Sequence, residues 1–121
     1  MAERLVDQMI RGLKALDIQV ALAEPLTDYV NLLHKWNTPY NLTAVRRPED
    51  MVIKHVFDSL TLVPHLNSFK RLCDVGTGAG LPGIPLALSF PDKEFVLLDS
   101  NGKKTRFLYQ VRQQLRLDNV S

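Results

Sequence analysis

The chain has 121 residues and a formal net charge of +2, with 45% hydrophobic and 23% charged residues. That is the length of one domain with enough apolar residues for a core, which excludes a disordered chain. No apolar run reaches the roughly 18 residues of a membrane span, Met1-Ala2-Glu3-Arg4 opens no signal-peptide stretch, and the one cysteine, Cys73, excludes an internal disulfide or a zinc finger, so a reducing, cytoplasmic setting without membrane or metal is expected.

The first predicted elements are helices. Leu5, Met9, Ile10, Leu13 and Leu16 fall at helical spacing. Leu22, Leu26, Tyr29, Leu33 and Trp36 step by four and three residues and predict a second amphipathic helix. Asn37-Thr38-Pro39 is expected to stop it, because proline has no N–H for the ladder. A turn-rich link runs through Arg47. Pro48 then suits the first position of a third helix, with Glu49 and Asp50 in its first turn. Ile53, Phe57 and Leu60 continue that helix, and Pro64 ends it.

The pattern changes near Arg71. Leu72-Cys73-Asp74-Val75 predicts a short strand, with Cys73 buried in it. A glycine cluster follows, then a helix from Pro82. Phe95-Val96-Leu97-Leu98-Asp99 predicts a buried strand, and Lys103 to Leu117 a last helix with Phe107, Leu108, Val111 and Leu115 inward. Strand, helix, strand, helix is the opening of a parallel α/β sheet. The expected organisation is a helical region, 1–66, followed by the first part of a Rossmann-like α/β domain, 67–121. Only Asn119-Val120-Ser121 is left for a third strand, whereas a doubly wound sheet has five or more. The sequence therefore reads as the N-terminal fragment of a longer protein.

Asp74-Val75-Gly76-Thr77-Gly78-Ala79-Gly80-Leu81-Pro82-Gly83 carries the chemistry. Glycines permit positive φ and close approach of a ligand to the backbone. Asp99, at the end of the second strand, suits the two hydroxyls of a ribose. Gly78-x-Gly80-x-x-Gly83 matches the dinucleotide fingerprint, which leaves a dinucleotide-binding oxidoreductase as an alternative. Gly76-x-Gly78-x-Gly80 suits an S-adenosylmethionine loop better. Asp74 would repel a pyrophosphate but could engage an ammonium group, and Pro82 weakens an anion cradle by lacking an N–H.

Asp74 to Leu86 (DVGTGAGLPGIPL), Leu97-Leu98-Asp99-Ser100 and Lys103-Lys104-x-Arg106-Phe107-Leu108 resemble the ribosomal RNA small subunit methyltransferase G family, also called glucose-inhibited division protein B. His34-Lys35-Trp36-Asn37-x-x-Tyr40-Asn41-Leu42-Thr43 and Lys54-His55-x-x-Asp58-Ser59-Leu60 match its N-terminal motifs. The resemblance implies a Rossmann-like methyltransferase core. It also implies a cytoplasmic enzyme that uses S-adenosylmethionine to methylate N7 of a guanine in small-subunit (16S) ribosomal RNA, with that RNA or the 30S subunit as partner. By the same resemblance Gly76 and Leu81 line the cofactor site, Gly78 and Gly80 shape it, and Asp99 holds the ribose. Asp74 joins this set from its own position before the first glycine. Guanine N7 has a free lone pair, so no general base and no catalytic side chain is assigned. The family's further cofactor contacts lie beyond a third strand, which makes an inactive fragment the other alternative.

Charge is unevenly spread: from Ser100 onward there are five basic residues and one acid. Composition alone favours a solvated helix face. Arg46, Arg47, Lys54, Lys103 and Arg106 are the candidates for RNA phosphates, and Trp36 is expected in the core. Asn37-Thr38-Pro39-Tyr40 imitates the Asn-Pro-Pro-Tyr loop of amino-methyltransferases, but it follows a helix and reads as a helix stop. His55 and Asp58 lie one turn apart, where the imidazole is expected to hold Asp58 or the chain between helix and sheet.

Overall fold

A computed structural model describes residues 3–66 and 68–121, so the expected boundary at Asn67 lies outside the described residues. Helix α1 spans Leu5–Ala15 and α2 spans Ala23–Tyr40. Their apolar stripes meet: Met9, Leu13, Leu26, Tyr29, Val30 and Leu33 are fully buried. The stripes are the sequence pattern made physical, since residues three and four apart share one helix face.

Pro39 does not stop α2. It sits in the last turn, and the helix closes at Asn41, whose φ is +54° and whose amide donates to the Asn37 carbonyl at 2.7 Å. A proline so near the C-terminus forfeits one hydrogen bond at an exposed end, which the helix tolerates.

The third helical segment also departs from expectation. It begins as α3, Pro48–Met51, widens into a π-helical stretch, Val52–Phe57, and ends as α4, Asp58–Leu60. Bonds from i to i+5 widen the turn, so residues four apart stay in line. The buried stripe is therefore Val52, Val56 and Leu60, and Ile53 is 56% exposed. Phe57 packs over Gly12 of α1, where an added Cβ would lie 1.9 Å from the ring.

Strand β1, Arg71–Val75, pairs in parallel with β2, Glu94–Leu98, with α5, Gly83–Ser89, between them in sequence. Leu72 faces Phe95 and Asp74 faces Leu97. Helix α6, Gly102–Gln114, follows and returns the chain to the sheet. Val120 bridges to Phe95 in parallel, so the expected third strand starts beside β2. Among the described residues β1 has no strand on its other side.

One sheet face is covered and the other is not. On the covered face Phe95 is buried completely and Leu97 nearly so. The opposite face carries Cys73, Val75 and Leu98 to solvent, with Val75 at 77% exposure. Cys73 is thus exposed, not buried: its strand position is as expected, but no described helix covers the face it shares with Arg71 and Val75. A single apolar core runs from α1 and α2 through α5, β2 and α6 to Val120, so the helical region and the α/β part pack as one body. No described helix is long and apolar enough to cross a membrane.

Candidate functional site

The site lies at the carboxyl ends of β1 and β2, where ligands bind in open parallel sheets. After Val75 the chain stays tied to β2: the amides of Gly76 and Thr77 both donate to the Leu98 carbonyl, at 2.7 and 3.0 Å. Gly76, Gly78 and Gly80 then take φ of +72°, +61° and +95°, a region that L side chains resist.

The glycines of the loop and of the start of α5 have different surroundings. A Cβ on Gly80 would lie 2.6 Å from Ile84 Cγ1, and one on Gly83 would lie 2.3 Å from Leu97 Cδ2, so both serve close packing. A Cβ on Gly76 would meet nothing within 4 Å. Backbone at Gly76 is therefore bare towards the space above the strands. Gly78 is nearly as open, with Lys104 Nζ 3.9 Å from such a Cβ.

Two carboxylates brace the loop. Asp74 Oδ2 accepts from Thr77 Oγ1 at 2.7 Å and from the Gly83 amide at 3.0 Å. Its Oδ1 has no hydrogen bond among the described residues. Asp99 Oδ2 accepts from the Gly78 amide at 2.8 Å, and its Oδ1 accepts from the Asn101 amide at 2.8 Å. The Asn101 amide, then the Gly78 amide, and more weakly the Lys104 charge hold the Asp99 carboxyl below its ordinary 3.8, against a smaller opposing effect of desolvation. Each oxygen of a carboxylate accepts two hydrogen bonds, so Asp99 keeps one free acceptor position on each. Asn101 caps α6 by accepting from the amides of Lys103 and Lys104.

Beside Asp99 opens a largely apolar pocket walled by Leu97, Leu98, Leu108, Tyr109 and Val120. On the other side of the loop, Leu81 and Pro82 border a second cleft with Lys54, His55, Asp58 and Leu62. The structure thus brings Asp74, Gly76, Gly78, Gly80, Leu81 and Asp99 together around one loop. The basic candidates are scattered around it. Lys54 lines the second cleft, Lys103 and Arg106 are exposed on α6, Arg46 donates to Asn41 Oδ1, and Arg47 pairs with Glu49 at 3.5 Å.

The rRNA small subunit methyltransferase G family model matches residues 22–121, which include every element of this site. The chain belongs to that family. A ribosomal RNA small subunit methyltransferase G of Shewanella denitrificans is 60% identical over 96 residues, 79% of this chain and 46% of that protein. One from Ectopseudomonas mendocina is 49% identical over 121 residues, 98% of this chain and 56% of that protein. The chain spans about half the length of the curated relatives it matches. Membership of a methyltransferase G family leaves the oxidoreductase alternative without support.

Within this methyltransferase G chain, residues outside the candidate set also support the loop. Tyr29, read from sequence only as an apolar position, donates its hydroxyl from α2 to the Ala79 carbonyl at 2.7 Å, and burial pushes its phenol pKa far up. Thr77 and Lys104 also adjoin the loop; Lys104 stands in the motif that carries the family resemblance, but sequence reasoning assigns it no role at the site. The Asn37 amide is spent on structure, donating to the Val45 carbonyl and accepting from the Thr43 amide, so it is not arranged as in an Asn-Pro-Pro-Tyr loop. His55 Nε2 pairs with Thr43 Oγ1 at 2.8 Å rather than with Asp58, and burial holds its imidazole below 6.5. Among the described residues no group of three or more His, Cys, Asp or Glu is placed to hold a metal.

Proposed function

We propose that this chain forms the cofactor-binding half of an S-adenosylmethionine-dependent methyltransferase that methylates N7 of a guanine in small-subunit ribosomal RNA. The observation that carries the reading is the Asp99 carboxylate bonded to the Gly78 amide, which joins the ends of both strands around an open backbone. The fit to the cofactor is good on this chain's own terms. The bare Cα of Gly76 admits close approach, and the free acceptor positions of Asp99 suit two ribose hydroxyls. Asp74 Oδ1 offers negative charge to an ammonium group, whereas a pyrophosphate would face repulsion from both carboxylates.

S-adenosylmethionine supplies an electrophilic sulfonium methyl when bound. In this reading Gly76 and Leu81 line its site, Gly78 and Gly80 set the loop's shape, and Asp99 orients the ribose. The chain's work is alignment, since the N7 lone pair attacks without deprotonation and needs no base. Lys54, Lys103, Arg106 and the link residues Arg46 and Arg47 hold RNA phosphates, which would make RNA affinity fall with salt. Acting on ribosomal RNA, the protein works in the cytoplasm in this reading. The test is transfer of labelled methyl from S-adenosylmethionine to isolated 30S subunits, followed by mapping of the modified base. Label at guanine N7 is expected; label on an exocyclic amine or a ribose would contradict the reading.

A further inference from the structure

The second cleft, across the loop from Asp99, has a donor and acceptor pattern of its own. Its apolar surface comes from Leu62, which is 40% exposed, and from the half-buried Leu81 and Pro82; the rest of its lining is polar. Two opposite charges, Lys54 and Asp58, line it without pairing with each other. Among the described residues the Asp58 carboxylate has no hydrogen-bond partner, although the neighbouring Ser59, Thr61 and His55 are all satisfied by the protein. Leu81 belongs to the glycine loop, so this cleft and the cofactor site share a wall.

We infer that this cleft receives the target base, and that Asp58 selects guanine by accepting from its Watson–Crick edge. An ionised carboxylate is acceptor-only and presents two adjacent oxygens. Guanine offers two adjacent donors, N1–H and the 2-amino group, on the edge away from N7. Adenine and cytosine each present a ring-nitrogen acceptor there, which a carboxylate repels, and uracil presents a single donor. Holding guanine by N1–H and the 2-amino group leaves N7, on the opposite edge, open to attack. The flat faces of the base would lie against Leu62, Leu81 and Pro82, as enzymes that take a base out of its stack generally arrange. Lys54 is placed for the phosphate, which every nucleotide shares. The inference takes its place in the reaction from the methyltransferase reading above.

The test measures nucleotide binding to the protein without cofactor, by saturation-transfer NMR with guanosine, adenosine and 7-deazaguanosine 5′-monophosphates. Guanosine monophosphate is expected to bind more tightly than adenosine monophosphate by about 5- to 150-fold, the range for one bidentate base contact. The 7-deaza analogue keeps the edge that Asp58 reads and should match guanosine monophosphate. D58N, at an exposed side chain with no partner to lose, should abolish the preference. K54Q should weaken both nucleotides alike. Equal affinity for the two bases, or a preference that survives D58N, overturns the assignment. A failure of the protein to bind S-adenosylmethionine in a separate titration overturns the methyltransferase reading instead.

Discussion

Asp99 Oδ2 accepts from the Gly78 amide at 2.8 Å, across 21 residues of sequence, so the carboxylate suited to a ribose also holds the glycine loop closed. Two strand ends and one loop share a single anchor. Removing the carboxylate in D99A should free the Gly78 amide and raise its hydrogen-exchange rate by about tenfold, the scale of a lost charge-assisted bond. The pH dependence has a definite sign. Asp99 is held below 3.8, so its contribution to stability is fully present above 3.8 and is lost as pH falls through the lower folded value. The Gly78 and Asn101 amide shifts should therefore stay constant from neutral pH to about 4 and titrate only below it. Titration of both amides between pH 5 and 7 would contradict this.

The glycines should separate by role. G80A meets Ile84 at 2.6 Å and Leu108 at 3.0 Å while holding φ at +95°, and should destabilise the fold by about 3 kcal/mol. G76A meets no atom within 4 Å and carries only the positive-φ penalty, about 1–2 kcal/mol, but under the proposed function it places a methyl in the cofactor's path. Urea unfolding and S-adenosylmethionine titration of both variants check the contrast. A G76A protein that binds the cofactor as well as the parent would show that Gly76 does not face it.

Tyr29 marks what sequence periodicity can and cannot reveal. Its position in the apolar stripe of α2 is plain from spacing, and so is its burial. The bond from its hydroxyl to Ala79, 50 residues away, depends on how α2 docks against the loop, which no local pattern encodes. Y29F leaves the buried Ala79 carbonyl unpaired and should cost about 1–3 kcal/mol in chemical denaturation. A change below a few tenths of a kcal/mol would mean that water replaces the phenol.

The other departures from the sequence reading have the same tertiary origin. Strand β1 and the loop are legible because apolar residues, glycines and Asp74 stand at fixed offsets. Cys73 was expected inside because parallel strands are normally covered on both faces, and here only the Phe95 face is covered. Ile53 continues the third helical segment as expected, but the wide turn at Val52–Phe57 leaves it 56% exposed, which no regular helical spacing anticipates. Pro39 falls one turn too late in α2 to stop it. The glycine loop and Asp99 come together because both lie at strand ends, a rule of topology that the order strand, helix, strand already implies.

His55 should give stability an acid limb. Burial lowers its folded pKa below 6.5, so protonation is harder in the folded protein than in the unfolded chain. Its contribution is full above pH 6.5 and is lost progressively as pH falls through 6.5 toward the lower folded value. Thermal midpoints of the parent and H55Q should therefore converge as pH drops from 7 to 5. A difference between them that is constant across that range would place the titration elsewhere.

The most direct test of the account is equilibrium binding of S-adenosylmethionine and of NAD to the same protein, each repeated with D99A. The account predicts saturable S-adenosylmethionine binding that D99A weakens by about tenfold or more, and no saturable NAD binding. Binding of NAD in preference to S-adenosylmethionine, or S-adenosylmethionine affinity unchanged in a folded D99A protein, would contradict it.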